Sequence, residues 1–430
     1  MAQNTADQPS TEAAKPNTGG ESPQAPTKPR VDPIAEAKLL ELYYDFISEL
    51  TKIRIIRYNR LTFAIMTLIK TLTNKTLKGH KAVIFTTVPA PQSQLDRIQE
   101  QFPDLKIVTR LQPWGAPLDP DWKEEEWKDT TVLLTATILP TREQAPHLQY
   151  VQLTSAGANH IIDRPLFSGT NIPFSTANGV HGPQIAEWIV STFLTFQHHL
   201  KDYWKLQEEA KWKRLHQNPE DAEDTVGKRI GILGYGSIGR QTARVAKALG
   251  MDVHAYTLHP RPTPESRRDD SYSPEGLGDP EGKFPSKWFS GGSKEDIHAF
   301  LGSDLDLLVI ATPLTAKTKN LIAKPEFQVL SKKRTFVTNI ARGPIVNTDD
   351  LIEALNTGVI RGAALDVTDP EPLPDGHPLW SAKNITITPH ISAASAAYYY
   401  RLLDIFRLNL ERLSQGRDDL INKVNRKEGY

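Results

Sequence analysis

Apolar positions along the chain fall into short runs separated by stretches with a helical repeat. In the first part of the folded chain, 82–87, 106–108, 131–134 and 150–153 read as short buried strands, with segments such as 93–102 able to form helices between them. Further on, 229–233, 252–256, 305–311, 335–339, 362–366 and 385–388 repeat the pattern. Strands that alternate with helices predict a parallel, doubly wound sheet, and here the alternation occurs twice. A helical crossover over 184–211 leads from the first series to the second. After the strand at 229–233, Ile238, Thr242, Val245, Ala246 and Leu249 recur at three- and four-residue steps before Gly250, which predicts an amphipathic helix with a glycine stop. Another helix is expected to begin at Asn347 or Thr348, with Asp349 and Asp350 in its first turn and Gly358 past its end. Residues 259–298 are rich in Pro, Gly, Ser and charge and read as a long inserted loop.

Ahead of these series the pattern changes. Residues 1–33 are polar and rich in Pro, Thr, Ser, Gln and Gly, the composition of a disordered tail. From 34 to 77 a helical extension is expected, because Leu39, Tyr43, Phe46, Leu50 and Ile53 make one apolar stripe. Its acids, Glu36, Glu41, Asp45 and Glu49, precede its bases, Lys52, Arg54, Arg57 and Arg60, as the helix dipole favours. Packing against the body or a second subunit is the plainer account of the stripe, membrane-surface binding the alternative.

Length and charge narrow the function. A chain of 430 residues exceeds the size at which one core keeps growing, so two domains are expected. Lys+Arg and Asp+Glu both total 51, which argues against a nucleic-acid surface. The absence of cysteine excludes disulfides, thiolate nucleophiles and cysteine-ligated metals. The adjacent His198 and His199 point to different faces of the crossover helix and read as surface residues, so no metal site is expected. No apolar run approaches the roughly 20 residues of a membrane span, and the acids Asp7, Glu12 and Glu21 are foreign to a transit peptide. A cytoplasmic protein without a membrane partner is the expectation.

The first chemistry appears at Gly234-Tyr235-Gly236-Ser237-Ile238-Gly239, where a strand gives way to a helix. Gly234 permits the turn, Gly236 lets a pyrophosphate approach the backbone, and Gly239 lets the helix pack on the strand. The N–H groups of Ser237 and Ile238 then face the dinucleotide phosphates at the positive end of the helix. NAD-specific folds place a carboxylate about 20 residues further on to bind the ribose hydroxyls. Here the second strand runs into Thr257-Leu258-His259-Pro260-Arg261 with no carboxylate, and Arg261, with Thr257 and His259, suits a 2′-phosphate. NADP is therefore expected in preference to NAD.

Three constellations follow later strands of the second series: Asn339-Ile340-Ala341-Arg342-Gly343, Asp366 through Glu371-Pro372, and Thr388-Pro389-His390. All sit at carboxyl ends of parallel strands, the edge where such sheets bind ligands. Arg342 offers a planar fork matched to a carboxylate, and its charge can polarise a carbonyl. His390 can exchange a proton near neutral pH, and Glu371 would orient the imidazole and favour its charged form. Singly, each has a plain reading as ion pair, turn carboxylate or helix cap. Together, behind a dinucleotide fold, they point to catalysis.

These motifs, with Thr312-Pro313-Leu314-Thr315, resemble in order and spacing the signature set of the D-isomer-specific 2-hydroxyacid dehydrogenases over 78–430. Ser155-Ala156-Gly157-Ala158-Asn159-His160 resembles that family's substrate loop, 179–187 the approach to its hinge, and 420–430 its returning tail. The resemblance implies a Rossmann NAD(P)-binding domain, 191–391, inserted into a flavodoxin-like substrate domain of 78–190 and 392–430. It also implies substrate contacts from Ala156, Gly157 and Arg342, proton transfer by His390 paired with Glu371, and cofactor contacts from Thr312, Pro313, Ala341 and Asp366. A homodimer joined through the cofactor domains and a small 2-oxo acid substrate of the glyoxylate and hydroxypyruvate type complete the expectation. Asp369-Pro370 departs mildly from the pattern, and Glu371 disfavours the formate-oxidising branch, which pairs its histidine with glutamine. A dinucleotide-sensing, corepressor-like protein on the same fold is the alternative.

Overall fold

A computed structural model describes residues 38, 42, 44–52, 54, 71–216 and 222–426. The disordered tail expected over 1–33 lies outside these residues, as do Leu39, Tyr43 and Ile53 of the apolar stripe. Residues 44–52 are helical, as the stripe predicts, and fall in the first of two units into which the chain divides, at 69/70.

The second unit, 70–430, contains two wholly parallel sheets. One comprises β1 (Lys81–Thr86), β2 (Lys106–Leu111), β3 (Val132–Thr135), β4 (Tyr150–Leu153) and β5 (Phe174–Ser175), in the order β2-β1-β3-β4-β5. The other comprises β6 (Arg229–Leu233), β7 (Asp252–Thr257), β8 (Lys287–Ser290), β9 (Leu307–Ile310), β10 (Phe336–Asn339), β11 (Gly362–Leu365) and β12 (Ile385–Ile387), in the order β12-β11-β10-β9-β6-β7-β8. These are the flavodoxin-like and Rossmann-type orders, each reversing at a switch point, between β1 and β3 and between β9 and β6.

The five-stranded half is discontinuous in sequence. Its core takes Ile84, Val132 and Leu134 from the strands and Leu402, Leu403, Phe406 and Leu410 from the final helix, Tyr398–Ser414. Buried Asn409 clamps the returning tail, accepting from the Ile421 N–H at 2.7 Å and donating to its carbonyl at 3.1 Å. Lys423 then forms an antiparallel bridge with Ser175 in β5. Because the closing helix arrives only after the seven-stranded half, that half is an insertion.

Local signals explain much of this. The helix Thr348–Thr357 is capped by the Asn347 side chain, which accepts from the Asp350 N–H at 3.0 Å, and ends on Gly358 in the left-handed region. Two strands escaped the pattern: β5 spans two residues, and β8 is an edge strand with an exposed Lys287, too little apolar signal to stand out. The crossover is two helices, Gly182–Gln197 and Leu200–Glu208, broken where His199 takes a φ of +53°.

The segment 259–298 is not the loose loop its composition suggests. Besides β8 it contains Asp279, 4% exposed, which accepts a hydrogen bond from the Tyr235 hydroxyl at 2.7 Å. Arg240, also 4% exposed, donates to the Asp279 and Arg267 carbonyls and pairs with Asp269. Tyr272 packs into the core of the other half, and its hydroxyl donates to Asp404. Buried polar groups with partners on both sides make this stretch part of the framework. No helix among the described residues is long and apolar enough to cross a membrane.

Candidate active site

The glycine turn is shaped by steric necessity. Gly234 has a φ of +103°, and a Cβ there would lie 2.6 Å from the Ala311 carbonyl oxygen beyond the neighbouring β9. A Cβ on Gly239 would lie 2.5 Å from the Gly234 oxygen, so the helix Ser237–Ala248 sits as close to its strand as glycine allows. At Gly236 the same test meets nothing within 4 Å, and that open side is where a pyrophosphate can approach. The residues present therefore fit a dinucleotide. Ser237 and Ile238 open the helix, whose first N–H groups have no intrahelical acceptor, and the Ser237 hydroxyl donates to Asn178 of the other half at 2.9 Å.

Past β7, the Thr257 hydroxyl donates to the His259 carbonyl at 2.7 Å. Arg261 donates from Nη1 to the Ser266 carbonyl at 2.5 Å, a tie that sequence could not reveal. No carboxylate pairs with Arg261 among the described residues, so its charge is not neutralised. Thr312 and Pro313 follow β9 beside Gly234, and the Pro313 carbonyl accepts from the Thr318 hydroxyl at 2.8 Å.

The ends of β10, β11 and β12 bring the other group together on the same edge. His390 Nδ1 lies 2.7 Å from Glu371 Oε1, with the side chains 46% and 40% exposed. An ionised carboxylate only accepts, so Nδ1 carries the hydrogen and Nε2 faces outward for proton exchange. An exposed pair of this kind adds about 0–1 kcal/mol to stability; its value is orientation. Arg342 is exposed, and one N–H donates to its neighbour's carbonyl, that of Ala341, at 2.6 Å. Asn339 holds this loop from both sides, accepting from the Ala341 N–H at 3.0 Å and donating to the Arg342 carbonyl at 2.9 Å.

Asp366 does something the resemblance did not imply. It is 1% exposed, and its carboxylate accepts from the Thr388 hydroxyl at 2.6 Å and from the backbone N–H groups of Ile391 and Ser392 at 2.8 and 2.9 Å. Its own carbonyl accepts from the His390 N–H at 2.9 Å. Asp366 thus fixes the loop that holds His390 at a φ of +55°, with both carboxylate oxygens bonded to that loop.

Ala156 and Gly157 lie past β4 in the five-stranded half, in a loop tied by the Ser155 hydroxyl to the Gly157 carbonyl at 2.7 Å. Two chain segments connect this half to the other. Gln184 donates to the Ala393 carbonyl at 3.0 Å, and Arg401 donates to Gln184 Oε1 at 2.7 Å and to the Val180 carbonyl at 3.0 Å. His181 lies within this junction, where burial and the charge of Arg401 push its pKa down to about 4.

Away from the edge, His199, Asp202 and His216 come within ligand distance of one another. His199 is matched with His216 rather than with adjacent His198, and the two imidazoles stack 3.6 Å apart with only 16° between their planes. Near-parallel rings direct their in-plane lone pairs side by side, not at a common point.

A sequence profile described as D-isomer specific 2-hydroxyacid dehydrogenase, NAD binding domain, matches residues 190–276 and 289–392. Glyoxylate reductase from Thermofilum pendens is 30% identical over 285 residues, covering 65% of this chain and 77% of that protein. This chain belongs to the D-isomer-specific 2-hydroxyacid dehydrogenases. Hydroxypyruvate reductase from Blautia hydrogenotrophica is 29% identical to this dehydrogenase over 290 residues, covering 66% of the chain and 80% of the relative. Among solved structures, an NADPH-dependent glyoxylate/hydroxypyruvate reductase from Sinorhizobium meliloti in complex with NADP and sulfate shares the fold, with a TM-score of 0.58 at 22% identity over 82% of this chain and 100% of its own. The dehydrogenase is thus an NAD(P)-dependent oxidoreductase, and relatives named as reductases favour that reading over a dinucleotide sensor. The profile match skips 277–288, the stretch that carries Asp279, so this buried anchor lies outside the family pattern.

Proposed function

We propose that this dehydrogenase reduces small 2-oxo acids, glyoxylate and hydroxypyruvate foremost, to D-2-hydroxy acids, with NADPH preferred over NADH. The observation that carries the reading is the 2.7 Å pair of His390 and Glu371, which leaves Nε2 as the outward proton donor on the dinucleotide edge. When bound, the nicotinamide supplies the hydride. His390 gives its proton from Nε2 to the carbonyl oxygen, while Glu371 stabilises the imidazolium and keeps the ring aimed. Arg342 binds the substrate and offsets negative charge growing on the oxygen. The Ala156–Gly157 backbone receives the substrate carboxylate, and Asp366 acts through His390 by holding its loop.

Preference for NADPH rests on Arg261, an un-neutralised cation past β7 where no carboxylate stands to repel a 2′-phosphate. A homodimer joined through the seven-stranded halves is the assembly that the family resemblance implies, and light scattering decides it. The activity is tested by following NADPH and NADH absorbance with glyoxylate, hydroxypyruvate, pyruvate and bulkier 2-oxo acids. Turnover of the first two, fastest with NADPH, is expected; no turnover of any 2-oxo acid overturns the assignment.

A further inference from the structure

Three consecutive tyrosines open the last helix, and they have different surroundings. Tyr400 is exposed, whereas Tyr399 is buried with its hydroxyl 2.8 Å from both the N–H and Oγ1 of Thr87, just past β1. The Tyr398 hydroxyl donates to the Thr154 carbonyl, just past β4. Its ring stacks on His181, with centroids 5.3 Å apart and 28° between planes, and meets Tyr399 edge-on at 4.9 Å. Burial between these rings raises the pKa of its phenol, which therefore stays a neutral donor.

Thr154 is the last residue before the Ser155–Gly157 loop. Its N–H donates to the Thr135 carbonyl of β3 at 2.9 Å, and the Ser155 carbonyl accepts from the Ala177 N–H at 2.8 Å. The loop therefore leaves a fixed strand end, and Tyr398 is what reaches it from the other chain segment. That segment begins at His390, whose backbone is pinned by Asp366. A short stretch of chain thus has the proton donor at one end and the tie to the substrate loop at the other.

The geometry points to Tyr398 as a positioning residue for the 2-oxo acid, fixing the Ser155–Gly157 loop relative to His390. This rests on the roles assigned above to His390 and the loop. A hydroxyl that sets the loop's place acts on the binding of the carboxylate, not on the dinucleotide, whose turn lies on the other sheet. A ring that merely fills space beside His181 would be replaced by phenylalanine without effect on either.

The test is Y398F, which keeps the ring and removes one half-buried hydrogen bond. With glyoxylate and hydroxypyruvate at saturating NADPH, KM is expected to rise about five- to tenfold, with kcat altered less than KM and NADPH affinity within about twofold of the native protein. Oxamate, a non-reducible analogue with the same carboxylate, is expected to bind the NADPH complex correspondingly more weakly, read by tryptophan fluorescence. Unchanged KM and oxamate affinity overturn the proposal, as does an equal loss of NADPH affinity, which would mean general distortion. Measurements are made at a temperature where both proteins are folded; if Y398F does not fold, Y398L, which also lacks a donor, carries the same expectation and the same overturning result. If the native protein reduces no 2-oxo acid, the assigned activity fails, while oxamate binding still decides the role of Tyr398.

Discussion

At Gly234–Gly239 the ligand edge of the seven-stranded sheet is defined by side chains that are missing; further along the same edge, at Glu371 and His390, it is defined by side chains that reach each other. The glycine turn leaves no slack, since a Cβ at Gly239 would sit 2.5 Å from a backbone oxygen. The histidine pair is open to solvent and contributes little to the fold. One region is shaped by packing, so changes there strike structure and cofactor binding together. The other is shaped by polar contact, so changes there can remove chemistry and leave the fold intact.

The sharpest test of that contrast is His390→Ala. Turnover is expected to fall about 10²–10⁴-fold, the usual worth of a positioned acid–base group, while NADPH affinity and melting temperature stay near native values. Steady-state kinetics beside calorimetry check this, and a parallel loss of stability would break the comparison.

His181 belongs to neither class, being a titratable group held by burial. Its pKa is about 4 when folded, against about 6.5 in an unfolded chain. The folded value is depressed, so the associated stability is whole above about pH 6.5 and is lost as pH falls toward 4, a total of about 3 kcal/mol. His181→Phe keeps a ring against Tyr398 and is expected to narrow the melting-temperature difference between about pH 7 and pH 5. His254, likewise lowered to about 4 by burial, retains its own share. An unchanged difference would show that His181 is not a buried neutral imidazole.

For the glycine turn, Gly239→Ala is expected to cost about 1–3 kcal/mol from overpacking and to weaken NADPH binding, measured by chemical denaturation and titration. Native-like stability and affinity would mean that the helix yields to the extra carbon. The smallest effect is assigned to Arg261→Ala: kcat/KM with NADPH falls about tenfold, roughly the worth of one charge-assisted contact, and the value with NADH is little changed. Equal losses with both cofactors would show that Arg261 supports the loop through Ser266 and does not read a phosphate.

The parts legible in sequence were those encoded locally. Strand and helix periodicity specified two parallel sheets, glycine spacing marked the phosphate turn, and strand-end motifs placed Arg342, Glu371 and His390 on one edge. What escaped depended on partners distant in the chain or on too few residues. β8 reads as part of a polar insertion until its pairing with β7 is seen. Asp366 looks like an edge carboxylate until its bonds to 388–392 are seen, and the interruption at His199 has no glycine or proline to announce it. Tyr398 and Thr154, 244 residues apart, share no pattern at all.

The split construction of the five-stranded half also orders events at the ribosome. Chains emerge amino end first, so every strand of both sheets is available before the helix Tyr398–Ser414 leaves the exit tunnel. The seven-stranded half can close its core at that stage. The five-stranded half cannot, because Leu402, Leu403, Phe406 and Leu410 have yet to arrive over Ile84, Val132 and Leu134. During synthesis it must carry an uncovered apolar face for as long as the whole inserted half takes to be made, and it is there that a chaperone has surface to hold.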